Sequence, residues 1–162
     1  LASFAFYRLV GISKIISGGQ TGADRAALDW AITNNIQHGG WCPKGRLAED
    51  GVIDPKYNLQ ETPDSEYIQR TEWNVRDSDA TVIFSISPIL TGGSLATEEL
   101  ATAHRKPCLH ISEAQSISTN AEELQLFLVE HNVGMINMAG PRASNEPEIC
   151  AFVTDILDSA CE

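Results

Sequence analysis

The segment KIISGGQTGAD, residues 14–24, joins a short apolar run to a glycine-rich turn and then to a helix-forming run. A second segment of the same kind, LTGGS at residues 90–94, follows the apolar run ATVIFSI at residues 80–86. Glycine lets the backbone turn tightly and approach a ligand, and the first N–H groups of the following helix have no intrahelical partner. Each segment therefore predicts a strand, a turn and a helix N-terminus that can bind phosphate.

Strand-type and helix-type runs alternate from residue 13 to the end of the chain. This alternation predicts a parallel, doubly wound α/β sheet with about five strands and five helices. A capping-box pattern at Asn120 and Glu123 predicts the start of the fourth helix, and Ser144 or Asn145 is the predicted cap of the fifth. The predicted strands are residues 14–17, 38–42, 80–86, 107–111 and 134–138, and the first three predicted helices are residues 22–34, 65–77 and 94–104.

The chain has 162 residues, of which 43% are hydrophobic, and this suits one domain with a single core. We expect a ligand-binding domain over residues 13–162, after an N-terminal extension at residues 1–12. The 22 acidic and 11 basic residues give a net charge of −11, which disfavours nucleic acid and anionic membrane as partners and favours a small ligand. No run reaches the ~18 apolar residues of a membrane span. Four cysteines without metal-ligand spacing predict no metal site and reduced thiols in a cytoplasmic protein.

The two glycine segments predict one ligand site between them. In an open α/β sheet, ligands bind beyond the carboxyl ends of the strands, where the winding of the chain reverses. The segments flank one crevice if their strands are neighbours, as in a 3-2-1-4-5 or 2-1-3-4-5 order. The first segment lacks the G-x-G-x-x-G spacing and a Walker lysine, which disfavours dinucleotide redox chemistry and ATP hydrolysis. The candidate contacts here are Gly18, Gly19, Gln20, Thr21, Gly22, Asp24, Gly92, Gly93 and Ser94.

Four of these candidates, Gly18, Gly19, Gly22 and Asp24, have a purely structural alternative. The glycines can form a tight turn that meets no ligand. Asp24 can act only as a helix cap instead of contacting a ligand hydroxyl. The four histidines offer no pairing with a nucleophile, so none of them is assigned a role, and the catalytic residues, if any, are unknown at this stage.

Further candidates lie between the two glycine segments. Lys44, Gly45 and Arg46 follow the second predicted strand, where a cation can meet the phosphate or simply lie in solvent. Residues 43–64 have almost no periodicity, and so long a loop predicts a lid or a subunit contact. Arg70, Asn74 and Asp77 recur at helical spacing, so they share a face that reaches the crevice or an identical subunit. The alternative is a solvated stripe with a hydrogen bond between Arg70 and Asn74.

Three ordered motifs closely resemble the family of molybdenum-cofactor carriers. They are residues 17–29, residues 40–51 and residues 70–79, within a match that runs from Ile15 to Ile111 and continues more loosely to the end. That family is similar to the cytokinin-activating phosphoribohydrolases. The resemblance implies a single Rossmann-like three-layer domain with a mostly parallel sheet of about five strands. It also implies a homo-oligomer, a dimer or tetramer, that binds molybdenum cofactor (molybdopterin) or a related nucleotide-like molecule.

The resemblance to the phosphoribohydrolases leaves a second function open. Their loop Pro-Gly-Gly-x-Gly-Thr-x-x-Glu corresponds to residues 91–99, TGGSLATEE, which keep both leading glycines and place Glu99 at the acid position. Thr91 replaces the proline, Leu95 replaces the third glycine, and Thr97, a further candidate phosphate contact, comes one place late. The first hypothesis is a carrier of a phosphorylated heterocycle. The alternatives are an enzyme that cleaves the N-glycosidic bond of a nucleoside monophosphate, assisted by Glu99 or Asp77, and a signalling subunit that senses a nucleotide.

Overall fold

The computed structural model describes residues 8–161 of the chain. Most of the predicted N-terminal extension lies outside the described residues, and Leu9, at its end, is buried in the main core. In chain order the elements are β1 (Lys14–Ile16), α1 (Ala23–Thr33), β2 (Gln37–Gly39), β3 (Trp41–Cys42), β4 (Leu47–Ala48), β5 (Gly51–Val52), β6 (Gln60–Glu61), α2 (Tyr67–Arg76), β7 (Ala80–Ser85), α3 (Gly92–Ala103), β8 (Cys108–Ser112), α4 (Ile117–Glu130), β9 (Met135–Ala139) and α5 (Ile149–Ser159).

Five of the strands form one parallel sheet in the order β2-β1-β9-β7-β8. Helix α5 packs between α1 and α4, and α2 packs against α3. The step from β1 to β2 and the step from β7 to β8 run in opposite directions along the sheet. Right-handed crossovers therefore place α1 and α3 on opposite faces. The predicted Rossmann-like three-layer α/β domain with a five-stranded parallel sheet is confirmed.

The two strands that precede the glycine segments, β1 and β7, are not neighbours, so the condition under which the two segments would flank one crevice directly is not met. Strand β9, the last in the chain, lies between β1 and β7 and pairs with both. If the strands are counted from β9 onward, the order becomes 3-2-1-4-5, so the last strand takes the place of the first strand of a common doubly wound sheet. The loop that follows β9 therefore lies where the winding reverses.

The second predicted strand, residues 38–42, is two strands in two different sheets. Gly40 separates β2 from β3 with φ +132°, and a Cβ atom there would lie 2.3 Å from the Ser17 carbonyl oxygen. Only glycine fits, and the chain leaves the main sheet at this point. Strand β3 then pairs with β6, and β4 pairs with β5. We call residues 41–64 the arm. It is partly ordered as strands, although residues 43–64 were predicted as an irregular loop.

The predicted helices are all present, and the starts of the last two differ most from prediction. Helix α4 begins at Ile117, because the Ser116 hydroxyl accepts a hydrogen bond from Thr119 N; Asn120 is buried and donates to Ser112 O. Helix α5 begins at Ile149, later than the predicted cap at residue 144 or 145. The Ser144 hydroxyl instead donates to Glu49 over 2.6 Å. No helix among residues 8–161 is long and apolar enough to cross a membrane.

Candidate functional site

A cleft of about 1040 Å³ opens at the carboxyl edge of the main sheet. Gly18 lines it after β1, Asn137 lines it within β9, and Ser85 lines it at the end of β7. This volume is at the upper end of small-molecule sites, and the position is the one where doubly wound sheets bind ligands. Nine predicted residues line the cleft: Gly18, Gln20, Asp24, Arg70, Asn74, Gly92, Gly93, Ser94 and Thr97.

Helix α3 presents an uncapped N-terminus to this cleft. Its N-cap residue Thr91 makes no side-chain hydrogen bond, and its first turn contains no acidic residue. A Cβ atom at Gly92 or Gly93 would meet no atom within 4 Å, so open space lies beside the backbone. Among residues 8–161 we find no acceptor for the N–H groups of Gly92, Gly93 and Ser94. The first turn therefore offers several backbone donors at the positive end of the helix dipole.

The first glycine segment is closed by protein atoms instead. Gln20 N donates to the Asp24 carboxylate over 3.2 Å, Thr21 N donates to Gln20 Oε1, and Ala23 N donates to Pro141 O. A Cβ atom at Gly22, where φ is +84°, would lie 2.5 Å from the same Pro141 oxygen. In this structure the segment packs closely against the loop after β9, and the N–H groups of Gln20, Thr21 and Ala23 have acceptors within the protein.

Gln20 has one unsatisfied polar atom next to the cleft. Its Oε1 accepts hydrogen bonds from Thr21 N and Glu49 N, which fixes the orientation of the amide. Its Nε2 is buried and has no partner in the described part of the chain, and the whole residue is 4% exposed. Since buried donors are almost always paired, this group is a candidate hydrogen-bond donor to a ligand.

Asp24 is a buried carboxylate in the first turn of α1. It is 7% exposed, and burial raises the pKa of its carboxyl, an effect that Arg70 and Arg25 partly oppose. A buried charged carboxylate is costly unless it is paired, and the structure pairs this one only with backbone N–H groups. Asp24 can therefore accept a hydrogen bond from a ligand N–H or hydroxyl group that enters the cleft.

Replacing Asp24 by Asn is expected to raise the free energy of unfolding at neutral pH. The pKa of Asp24 is raised above 3.8 in the folded protein, so the folded state binds this proton more tightly than the unfolded chain does. The ionised carboxylate therefore lowers the free energy of unfolding as the pH rises above 3.8. Well below pH 3.8 it has no effect, because the group is protonated in both the folded and the unfolded state. Thermal unfolding measured from about pH 3 to about pH 8 should show a Tm advantage of Asp24→Asn that grows with pH.

Asp50 provides a matched control with the opposite sign. Its pKa is lowered by the hydrogen bond from Arg25, so its carboxylate stabilises the fold at neutral pH, and this contribution is lost as the pH falls. Asp50→Asn should therefore lower Tm at neutral pH. An Asp24→Asn variant that is also less stable than the wild type at neutral pH would contradict the desolvation argument.

The three predicted residues on α2 have separate roles. Arg70 is buried and donates to Gly18 O over 2.9 Å, at the end of β1. Asn74 exchanges two hydrogen bonds with the backbone of Trp41 and so attaches the arm to α2. Asp77 accepts a hydrogen bond from the Trp41 indole and lies outside the cleft. The hydrogen bond between Arg70 and Asn74 that the alternative interpretation requires is not found among the described residues.

The arm keeps its predicted cations away from the cleft. The Arg46 guanidinium donates to backbone carbonyls of the arm itself, including Ile53 O and Asp54 O, and Lys44 is exposed. Gly45 N donates to Glu61. Their role as ligand contacts stays a prediction. The predicted residues that do not line the cleft are Gly19, Thr21, Gly22, Lys44, Gly45, Arg46 and Asp77.

The sequence analysis missed the loop after β9, residues 140–148, which lines the cleft with Arg142, Ser144 and Glu146. Glu146 Oε2 accepts hydrogen bonds from Ile86 N and Ser87 N over 2.7 and 3.2 Å. The signal was present, because Gly140-Pro141 directly follows the fifth predicted strand and must lie at its carboxyl end. It was missed because this stretch was interpreted only as the cap of the last helix.

Ser85, which lines the cleft at the end of β7, lies beside His110 of the neighbouring strand β8. Ser85 Oγ lies 2.5 Å from His110 Nε2 and donates its proton to Ser87 O over 2.6 Å. Burial lowers the pKa of His110, so the ring is neutral at pH 7. Because the single hydroxyl proton goes to Ser87 O, His110 Nε2 acts as a donor to Ser85, and this geometry does not activate the serine as a nucleophile. Within residues 8–161 no group of three or more His, Cys, Asp or Glu side chains can hold a metal ion.

The fold and the position of the cleft define a Rossmann-like α/β domain with its site at the switch point of the sheet. The chain belongs to the circularly permutated YpsA SLOG family, whose model matches residues 15–161. The strand order fits that description, since β9 stands where the first strand of the common order would be.

A solved structure supports the same relationship. The crystal structure at 1.45 Å resolution of a "putative molybdenum carrier protein" from Syntrophus aciditrophicus SB is 52% identical in sequence and superposes with a TM-score of 0.91. The match covers 93% of this chain and 95% of that chain. No curated protein matches the chain. The family resemblance that the motifs indicated is thus confirmed.

Proposed function

We propose that this chain is a binding or carrier protein for a phosphorylated heterocycle, with molybdenum cofactor (molybdopterin) or a related nucleotide-like molecule as its cargo. The observation that carries the proposal is the uncapped N-terminus of α3, with its N–H donors and open space, inside a cleft at the switch point. The name of the related crystal structure, a molybdenum carrier protein, supports this cargo.

In this proposal the phosphate binds to the backbone N–H groups of Gly92, Gly93 and Ser94. Thr97, whose hydroxyl now donates to Gly93 O over 2.8 Å, closes the same turn. The heterocycle lies toward the first glycine segment, where the unpaired Gln20 Nε2 donates to a ring acceptor and Asp24 accepts from a ring N–H. Flat heterocycles with both donors and acceptors on one edge match this pair of side chains.

We also propose that the protein is a cytoplasmic homo-oligomer in which the arm contributes a subunit contact. Val52 and Leu47 are paired across the hairpin of β4 and β5 and are 73% and 41% exposed, so together they give an apolar surface that a second subunit can cover. All four cysteines are free thiols, which fits a reducing compartment. A dimer or tetramer is expected in sedimentation velocity, and a monomer at micromolar concentration would contradict this part of the proposal.

Native mass spectrometry of the protein, purified without oxygen, tests the proposal. The expected result is a retained phosphorylated heterocycle whose mass identifies it as a molybdenum-bearing pterin, a pterin phosphate or a nucleotide. A protein that carries no ligand, and that gains none when incubated with pterin phosphates or nucleoside monophosphates, would contradict it.

The same incubation separates a carrier from an N-glycosidic hydrolase. Glu99 is exposed, and neither Glu99 nor Asp77 lines the cleft, so no observation favours the enzyme. We expect no free base to form from nucleoside monophosphates. Release of free base that stops in a Glu99→Gln variant would overturn the carrier proposal in favour of the enzyme.

A further inference from the structure

We propose that Tyr67, Arg70 and Arg142 form a second oxyanion subsite in the cleft, separate from the N-terminus of α3. All three residues line the cleft, and Arg142 lies in the loop after β9. The inference rests on the proposed function and narrows its ligand class to molecules that carry two separated oxyanion groups.

The guanidinium groups of Arg70 and Arg142 lie close to the same aromatic ring, that of Tyr67. Arg70 Cζ lies 5.2 Å from the centroid of the Tyr67 ring, and Arg142 Cζ lies 5.4 Å from the same centroid. The two cations are therefore within about 10.6 Å of each other, the sum of these distances. The chain has 11 basic residues against 22 acidic ones, so two cations beside one ring in the same cleft indicate a local function. Mutual repulsion in a partly dry site favours an anion between them.

The guanidinium N–H groups of Arg142 are available to a ligand. In the described part of the chain its guanidinium donates no hydrogen bond, although the side chain is only 34% exposed. A guanidinium carries five N–H donors in a planar fork that matches the oxygens of a phosphate or carboxylate. Arg70, by contrast, donates hydrogen bonds to Gly18 O and Thr71 Oγ1, and these bonds hold its guanidinium in place at the end of β1. Arg70 is thus held in place, and Arg142 is available to bind an anion.

No carboxylate in the described part of the chain accepts a hydrogen bond from Arg70 or Arg142. Arg142 Nη1 lies 3.9 Å from Glu49 Oε2, at the limit of an ion pair, and Glu49 already accepts hydrogen bonds from Thr21 and Ser144. Arg70 forms no ion pair among residues 8–161. Asp24 is the remaining carboxyl group that interacts with Arg70, and burial raises its pKa. Glu146 accepts from two backbone N–H groups at the end of β7.

The topology separates this subsite from the N-terminus of α3. Arg70 is anchored at the end of β1, Arg142 follows β9, and α3 follows β7. Strand β9 lies between β1 and β7, so Arg70 is anchored about 10 Å from β7 at the usual strand spacing, while Arg142 follows the strand next to β7. A ligand with two oxyanion groups can place one at the N-terminus of α3 and the other at Arg70 and Arg142.

NMR titration of the whole chain with inorganic phosphate tests the inference. In the wild type, the Ser94 amide signal reports the N-terminus of α3, and the Arg142 side-chain N–H and Tyr67 ring signals report the second subsite. We expect both sets to move, with independent midpoints. In Arg142→Gln the phosphate affinity measured from the Tyr67 signals should fall at least 10-fold. The phosphate affinity measured from the Ser94 signal should stay within twofold of wild type. Arg142→Lys keeps the charge without the planar fork, and its response should be intermediate.

Arg76→Gln is the matched control, because it removes the same charge from α2 outside the cleft, where Arg76 pairs with Asp77. In this variant the phosphate affinities measured from the Ser94 and Tyr67 signals should both stay within twofold of wild type. A Tyr67 response that persists in Arg142→Gln, or that is absent from the wild type, overturns the inference. Loss of both responses in Arg142→Gln, in a variant whose Tm is unchanged, also overturns it, since one shared group would then be bound. An absent Ser94 response in the wild type would instead count against the proposed function.

Discussion

Replacing Gly93 by Asp is expected to abolish phosphate binding at the N-terminus of α3 and to leave the fold intact. A Cβ atom at Gly93 would meet nothing within 4 Å, so the new side chain projects into the open space that the phosphate would occupy. Its carboxylate would compete for the same N–H groups and repel an incoming anion. We expect binding to weaken by at least ~100-fold, which is about 2.7 kcal/mol.

The same substitution should not destabilise the protein. An acidic residue near a helix N-terminus and the replacement of a helical glycine each contribute about 0.5–1 kcal/mol of stability. We therefore expect Tm to stay the same or rise, while phosphate titration of the Ser94 amide shows no response. Gly93→Asn, which has nearly the same shape without the charge, should keep part of the binding. An Asp variant that binds within threefold of wild type would show that the anion is held elsewhere.

Replacing Gly22 by Ala is expected to cost about 3 kcal/mol or more in the free energy of unfolding, since two separate penalties combine. Its φ of +84° is unfavourable for an L-residue. A Cβ atom there would also lie 2.5 Å from Pro141 O and 2.7 Å from Ala143 N, which are backbone atoms of the loop after β9. Neither loop can move without disturbing the strand that precedes it, so the clash is not easily relieved.

Gly92→Ala is the control that separates the two penalties. Gly92 also has positive φ, +53°, but a Cβ atom there would meet nothing within 4 Å. We expect it to cost about 1 kcal/mol, the backbone penalty alone. Chemical denaturation of both variants gives the comparison. Equal losses for Gly22→Ala and Gly92→Ala would show that the close contact between the first glycine segment and the loop after β9 contributes nothing.

The order of elements could be predicted from the sequence, because each main strand is an apolar run that ends in a turn signal. The strand ATVIFSI at residues 80–86 is found at Ala80–Ser85, and the helix predicted at residues 22–34 is found at Ala23–Thr33. Local patterns were sufficient here, since burial on both faces and helical periodicity are properties of single segments.

The strand order could not be predicted in the same way. No local feature of the run GMINM at residues 134–138 says that it inserts between β1 and β7 rather than extending an edge of the sheet. That choice depends on which hydrophobic faces pack together in the whole domain. Because the position of β9 was unknown, Arg142 and its loop were not considered, although they lie at the centre of the carboxyl edge.

The candidate site was partly predictable for the same reason. Gly92, Gly93 and Ser94 were found because a glycine turn before a helix has a local signature, and they line the cleft. Lys44 and Arg46 were chosen because they follow a predicted strand, but Gly40 directs the chain out of the main sheet before reaching them. A Cβ clash with Ser17 O at Gly40 is a tertiary constraint that the sequence does not display.

A crystal structure of the protein with the phosphorylated ligand that it retains on purification would test the central claim most directly. The account predicts a phosphate whose oxygens lie within about 2.7–3.2 Å of the N–H nitrogens of Gly92, Gly93 and Ser94, with the heterocycle beside Gln20 and Asp24. A phosphate bound at any other place on the protein, while the first turn of α3 contacts only water, would contradict it.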